Sequence, residues 1–366
     1  MSIIIFLIIL LVLVLVHEFG HFFVAKRFKI RVDEFGFGFP PKLFGKRYGE
    51  TEYSLNLLPL GGFVKIFGET PDDENMNGPD SGRSFINKPK WQQALVLFAG
   101  VFMNFLLAWV LFSFGFMSGL PTSVQSANDA GIPVRDVNLV ILSVTPDSPA
   151  ELAGLKTGDK IIEYGSSSDN FIRNTSPEAL QVFIASNQSG EVYLNYTRGS
   201  TENIENAKIV PRIENGKPII GIAMDEIGIA KMGFFRALAQ GMKLTLLVVK
   251  ETSVGLYGLI ADGLSGKGSL ESVTGPVGLV GFVGDAYQFG FVYLVSFAAL
   301  ISVNLAIINL FPFPALDGGR LLFLLIEKIK GSRIAPTVAN TANMIGFFLL
   351  IFLMLVITYH DVVKLF

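Results

Sequence analysis

Four long apolar stretches punctuate the chain, and their spacing sets its organisation. The first runs from about Ile3 to Ala25, is uncharged from Ile3 to Val16, and is long enough to cross a hydrocarbon core of ~30 Å. It has no basic n-region and no small-x-small cleavage site, which predicts a retained transmembrane helix. Further stretches span about Ala94 to Met117, Phe289 to Phe313 and Asn343 to Thr358. The cluster Lys26-Arg27-Phe28-Lys29-Ile30-Arg31 places the end of the first stretch in the cytoplasm and the N-terminus outside. Arg320, Glu327, Lys328, Lys330 and Arg333 fit a second cytoplasmic connection, so four spans leave both termini outside.

The intervening pattern divides the chain further. Residues 1–27 form the first span and residues 28–92 a cytoplasmic-side region that reads as short β-hairpins. Phe35-Gly36-Phe37-Gly38-Phe39-Pro40-Pro41, Thr51 to Leu58 and Gly61-Gly62-Phe63-Val64-Lys65-Ile66 supply its alternation and its glycines. The region is rich in aromatic residues, and backbone of this kind dips into a membrane only where it lines a cavity or is covered. Glu69 to Glu74 reads as an acidic surface loop. Residues 93–119 form the second span, in which Gly100 and Asn104, one turn apart, predict close helix contact and an interhelical hydrogen bond. Residues 120–228 read as a soluble domain. Residues 229–286 read as an interfacial amphipathic helix and loop, because the uncharged run Leu244 to Val249 is too short to span. Residues 287–325 hold the third span, with Asn304 and Asn309, and residues 326–366 a cytoplasmic connection and the fourth span.

Within 120–228, the stretch from Ser148 to Ile162 resembles the segment of PDZ domains where a short helix leads into a tight turn and a strand. A helix over Pro177 to Ala185 and strands over Glu191 to Thr197 and Ile219 to Met224 complete the pattern. PDZ domains bind extended peptides at a sheet edge, so a peptide ligand is one expectation. The fold class is thus a polytopic α-helical membrane protein of about four transmembrane helices. To these it adds a membrane-associated β-hairpin region and one extracytoplasmic PDZ-like α+β domain.

Composition agrees. The chain is 51% hydrophobic and 16% charged, against ~25% charged in the average soluble domain. A net charge of -2 gives no ground for a nucleic-acid partner. The absence of cysteine removes any disulfide framework and any thiolate ligand.

The chemistry is concentrated in His17-Glu18-Phe19-Gly20-His21, an H-E-x-x-H pattern that holds two of the three histidines. On a helix, positions four apart share a face, so two imidazoles can hold one zinc ion while Glu18 takes a proton from water on the metal. Without thiolates, a third protein ligand has to be His, Asp or Glu. Far along the chain, Asn309-Leu310-Phe311-Pro312-Phe313-Pro314-Ala315-Leu316-Asp317-Gly318-Gly319-Arg320 cannot stay regular helix, because its prolines break it. Asp317 then occupies broken backbone on the cytoplasmic half, the same depth as His17 and His21. His360 reads as an interfacial residue.

With both motifs in order, the chain resembles the site-2 protease family, most closely its bacterial branch of sigma-E regulators. The resemblance runs over nearly the whole chain, including the hairpin at Gly61 to Lys65 and the stretch from Ser272 to Pro276. It implies a zinc intramembrane endopeptidase of the bacterial cytoplasmic (inner) membrane, whose substrates are transmembrane proteins. His17, His21 and Asp317 would bind Zn2+, and Glu18 would be the general base. Asn309 would hold substrate backbone, and Gly61, Gly62, Phe63, Val64 and Lys65 would clamp substrate as an added strand. The PDZ-like domain would exclude substrates whose outer domain has not been cut off. Three departures stand out: room for one PDZ domain where two are usual, Val101 where proline is common, and Arg320 where histidine is frequent. A membrane peptide-binding adaptor without catalysis is a second reading, though it needs no Glu18. A zinc permease is a third, though a cluster confined to one half makes a poor path across the membrane.

Overall fold

The computed structural model describes all residues except 71–76, 168–169, 174–175, 188–189, 200–202, 215, 267–272, 289 and 365–366. Most of the acidic Glu69–Glu74 loop and Ser272 of the Ser272–Pro276 stretch lie outside the described residues. In chain order, helix α1 (Ser2–Arg27) leads into strands β1 (Val32–Tyr48) and β2 (Thr51–Ile66), then helix α2 (Lys90–Ser118). The sheet-rich middle holds β3 (Leu120–Ser123), β4 (Val134–Val144), β5 (Lys160–Ser167), β6 (Asn170–Ile172), helix α3 (Pro177–Ser186), β7 (Val192–Thr197) and β8 (Ile204–Ile209). It closes with β9 (Arg212–Glu214), β10 (Lys217–Ile219) and β11 (Ile222–Ala230). Five helices follow: α4 (Phe234–Leu264), α5 (Pro276–Gln288), α6 (Phe291–Leu310), α7 (Asp317–Lys330) and α8 (Pro336–Val363). The chain divides into two compact units, one of residues 1–112, 238–284 and 297–366, the other of residues 113–237 and 285–296.

Among the described residues, five helices are long and apolar enough to cross a membrane, against about four expected from the pattern. The additional one is Phe234–Gly263, where the sequence suggested an interfacial helix. Lys250 and Glu251 interrupt its apolar run, yet the helix continues through them for 31 residues. The connection after Asp317 is itself largely helical, ending where Gly331 adopts φ +75° as a left-handed cap. The last helix begins at Pro336, whose fixed φ suits a first helical position, well before Asn343.

In the first unit, β1 and β2 are each bent and pair twice. Residues 34–37 pair with 52–55 on one side and with 62–65 on the other, while 42–48 pair with 51–56. The result is an antiparallel sheet in which Gly61–Ile66 forms one edge. Below it, Ala25, Ile30, Val32, Ile66, Phe85, Val96 and Leu97 make a buried cluster that joins α1, the hairpin and α2. Lys26 and Arg83 both pair with Glu50, next to the β1–β2 turn.

The second unit is a seven-stranded sheet in the order β3-β11-β4-β5-β7-β8, with β6 on β5. Ser176 caps α3 and Pro177 starts it, so Leu180 and Ile184 face a core with Leu139, Ile161, Val192 and Leu194. The buried Asp159 carboxylate accepts two hydrogen bonds from Arg198.

Candidate metal centre

The i, i+4 spacing on α1 puts the Nε2 atoms of His17 and His21 3.1 Å apart, both residues buried. Each ring is oriented from α2. His21 Nδ1 lies 2.8 Å from the Val96 carbonyl, which can only accept, so Nδ1 carries the proton and Nε2 presents its lone pair. His17 Nδ1 lies 3.5 Å from the Asn104 amide, whose Oδ1 is buried without a partner. Turning that amide over gives the oxygen to His17 Nδ1–H and orients this ring in the same manner. The helices approach closely enough for this because of two glycines. A Cβ at Gly20 would collide with the Ala99 carbonyl, and one at Gly100 would lie 2.7 Å from His17 Cε1 and clash with His21 Nε2.

Asp317 arrives by a different route. Beyond α6, Pro312 and Pro314 prevent helix continuation, and Phe313 N–H bonds the Phe311 carbonyl at 2.7 Å in a tight turn. Gly318 and Gly319 then let the first turn of α7 nest against this backbone. A Cβ on Gly318 would strike the Leu310 and Phe311 carbonyls, and one on Gly319 the Phe313 carbonyl. This brings Asp317 Oδ2 to 3.0 Å from His17 Nε2 and 3.3 Å from His21 Nε2.

These atoms are suited to a cation. Asp317 Oδ2 is buried and has no hydrogen-bond partner, yet it faces two imidazole lone pairs. Ligand atoms bound tetrahedrally at ~2.0–2.1 Å from one zinc lie ~3.3 Å apart, close to the separations here. Two nitrogens and one carboxylate oxygen leave a fourth position open, as catalytic zinc sites do.

Glu18 faces a cavity of about 220 Å³, which Phe63, Val64, Ala315, Asp317 and Arg320 also line. The Val64 backbone amide faces the Glu18 carboxylate. The strand can lie this near α1 because Gly62 has no side chain: a Cβ there would sit 2.8 Å from Leu15 Cδ2. Among the described residues no strand pairs with the outer edge of Gly61–Ile66. Of the hairpin residues singled out from sequence, Phe63 and Val64 reach the cavity, whereas Lys65 is exposed. Asn309 stands in the last turn of α6, half-buried, and does not line the cavity.

Sequence reasoning missed the part played by four residues. Asn104 and Gly100 read as helix packing, though their i, i+4 spacing on α2 mirrors that of the histidines. Arg320 carried no role, yet it forms an ion pair with Glu69 in the cavity wall. Asn343 looked like an ordinary position in an apolar helix.

Apolar helices that bury such a donor set beside a free carboxylate define the membrane-embedded metal-dependent hydrolases. The profile of peptidase family M50 matches residues 5–353, and the chain belongs to this family. It is 36% identical to a Clostridium perfringens protein that carries a zinc metalloprotease name, over 96% of this chain and 95% of that one. It is 29% identical to the regulator of sigma-W protease RasP of Bacillus subtilis, over 100% of this chain and 99% of that one. It is 28% identical to the regulator of sigma E protease of Haemophilus influenzae, over 98% of each. A part amounting to 24% of the chain is 29% identical to the PDZ domain of an SdrC-like protein from Listeria monocytogenes, covering 86% of that chain with a TM-score of 0.20. The protein is thus an intramembrane zinc metalloprotease.

Proposed function

We propose that His17, His21 and Asp317 hold the zinc and that Glu18 is the general base of an endopeptidase cutting transmembrane segments of other proteins. The observation that carries this reading is the convergence of three donor atoms, all within 4.8 Å of one another, beside a cavity lined by Glu18. Zinc, when bound, supplies a Lewis acid for the scissile carbonyl and acidifies water. Glu18 takes the proton from the attacking water and delivers it to the leaving amine. His21 and His17 keep their Nε2 atoms unprotonated because their Nδ1 atoms are engaged from α2.

A transmembrane substrate hides its peptide bonds in helical hydrogen bonds, and unwinding it in a dry medium costs several kcal/mol per exposed group. The open edge of Gly61–Ile66 offers replacement partners, with Phe63 and Val64 directing the strand toward Glu18. Asn309 holds substrate backbone from the end of α6.

Both termini and the domain of residues 120–228 lie outside the cytoplasm, and the metal centre lies in the cytoplasmic half of the bacterial inner membrane. We read α4 as entering the membrane and the chain as returning to its starting side. Thr252 Oγ1 on α4 donates to Asn304 Oδ1 on α6 at 3.1 Å, which supports a deep position. The amides of Gly275 and Gly278 bond Asp361, one residue after His360, and Gly284 packs on Ser2, which supports a return to the side of both termini. That leaves four full crossings. The cysteine-free chain suits single-cysteine labelling with impermeant reagents, and outward labelling of Lys328→Cys overturns the orientation.

The outer domain takes an extended peptide. A cavity of about 700 Å³ between α3 and β11 supports this, lined by Gln181, Ile184, Ile220 and Met224, where, among the described residues, Ile222–Glu226 of β11 pairs with β4 along one edge only. An earlier cut in the substrate's outer region precedes this protein's own.

Glu18→Gln decides the base assignment. We expect it to bind zinc like the wild type and to cleave a membrane-embedded reporter at least ~100-fold more slowly, given the usual worth of a general base. Full activity in that variant rules the assignment out.

A further inference from the structure

The turn that carries Asp317 is held in a disfavoured conformation by a side chain from the last helix. Ala315 has φ +77°, in the left-handed region that a Cβ opposes. Among the described residues three other non-glycine positions have positive φ: Lys29, Asp136 and Asp147. Aspartate tolerates this region through its own side chain, an option alanine lacks. Instead the Ala315 N–H donates to Asn343 Oδ1 at 3.1 Å, from α8, 28 residues along the chain. One turn further, α8 approaches so closely that a Cβ on Gly346 would collide with the Pro314 carbonyl. Ala315 lies two residues before Asp317 and lines the same cavity.

We propose that Asn343 is a positioning residue for the third zinc donor: it pins the Pro314–Ala315 turn in the left-handed conformation that aims Asp317 Oδ2 at His17 and His21. This rests on the reading of Asp317 as a ligand. The contact does two things at once. It satisfies the Ala315 amide, and it selects one of two backbone basins for the turn. Released, the turn relaxes toward negative φ and carries Asp317 away by more than the ~0.2 Å tolerance of a metal–ligand bond.

The test measures zinc affinity of the detergent-solubilised full chain by competition with a chromophoric chelator, alongside the melting temperature of the zinc-free protein. Asp317→Asn checks the underlying reading: affinity equal to wild type there overturns the ligand assignment itself. Asn343→Ala is expected to bind zinc about tenfold more weakly, the lower end of the effect of losing a partner that orients a ligand. Ala315→Gly is expected to bind like the wild type, because glycine adopts positive φ unaided. In the Asn343→Ala background it is expected to restore affinity to within about threefold of wild type, by the same backbone freedom. If Asp317→Asn loses zinc while Asn343→Ala binds it normally, the positioning role is overturned and the ligand reading stands. If glycine fails to rescue, or if zinc-free melting falls in step with affinity, Asn343 supports the fold alone and the proposal is overturned.

Discussion

The candidate metal centre has two halves built by opposite means. His17 and His21 ride on a continuous helix, so their separation follows from helical geometry within five residues. Asp317 rides on a proline-broken turn at the start of α7, and its place depends on contacts with two other backbone segments: the end of α6 and the first half of α8. The helical half needs the close approach of α1 and α2 that Gly20 and Gly100 permit, and ring partners at Val96 and Asn104 on α2. The turn half is packed through Gly318, Gly319 and Gly346 and hydrogen-bonded by Asn343. Local geometry is cheap to specify and hard to disturb. A ligand placed by tertiary contacts alone is vulnerable at each of them.

The largest effect is expected from Gly100→Leu, which thrusts a side chain between the imidazoles where even a Cβ clashes with His21 Nε2. We expect zinc stoichiometry in that variant to fall near zero, and near-full stoichiometry would show that α2 does not set the helical half. Gly318→Ala comes next. Its Cβ meets the Leu310 and Phe311 carbonyls, and a displaced Asp317 should weaken zinc binding by roughly 10–100-fold, as loss of ligand support does. Helix content by circular dichroism should hardly change, because the fault is confined to a turn. Asn104→Leu removes the partner of His17 Nδ1 and should cost about tenfold in zinc affinity. An unchanged affinity would leave Asn104 as helix glue.

The smallest effect belongs to Glu50, which ties the end of α1 to the hairpin. Partial burial raises its pKa, but hydrogen bonds from Lys26 and Arg83 outweigh this and hold the carboxyl below its usual 4.5. A depressed folded pKa gives stability that is present above the unfolded value and lost as pH falls through the folded one. Glu50→Gln should therefore lower the melting temperature at neutral pH, and the difference should shrink as pH falls below 4.5, by this linkage. The pair is partly solvated, so its loss is worth under about 1 kcal/mol.

Much of this could be read from sequence for the same reason that the helical half is robust. Spacing within one helix is written in consecutive letters, and uninterrupted hydropathy marks α1, α2, α6 and α8. The motif at Asp317 was legible as broken backbone, and its meeting with the histidines came from family resemblance. Three things were not legible. Lys250 and Glu251 broke the hydropathy of α4, so it read as an interfacial helix and not as one long and apolar enough to cross a membrane. The pairing of β1 with two arms of β2 depends on bends that alternation does not encode. Asn343 sits in Ala342-Asn343-Met344-Ile345-Gly346, an unremarkable helical context, since its importance lies in what it touches and not in what flanks it.

On the proposal that substrate docks on the open border of Gly61–Ile66, that border has a consequence for what is destroyed and what is spared. Main-chain groups are the same in every polypeptide, so a docking rail made of them is nearly blind to residue identity. Discrimination then falls on how readily a prospective victim melts: segments with glycine, proline or asparagine near the scissile bond surrender their coil cheaply, while leucine-rich ones resist. Proteins of the surrounding bilayer would be protected less by lacking a recognition code than by the stiffness of their own spans.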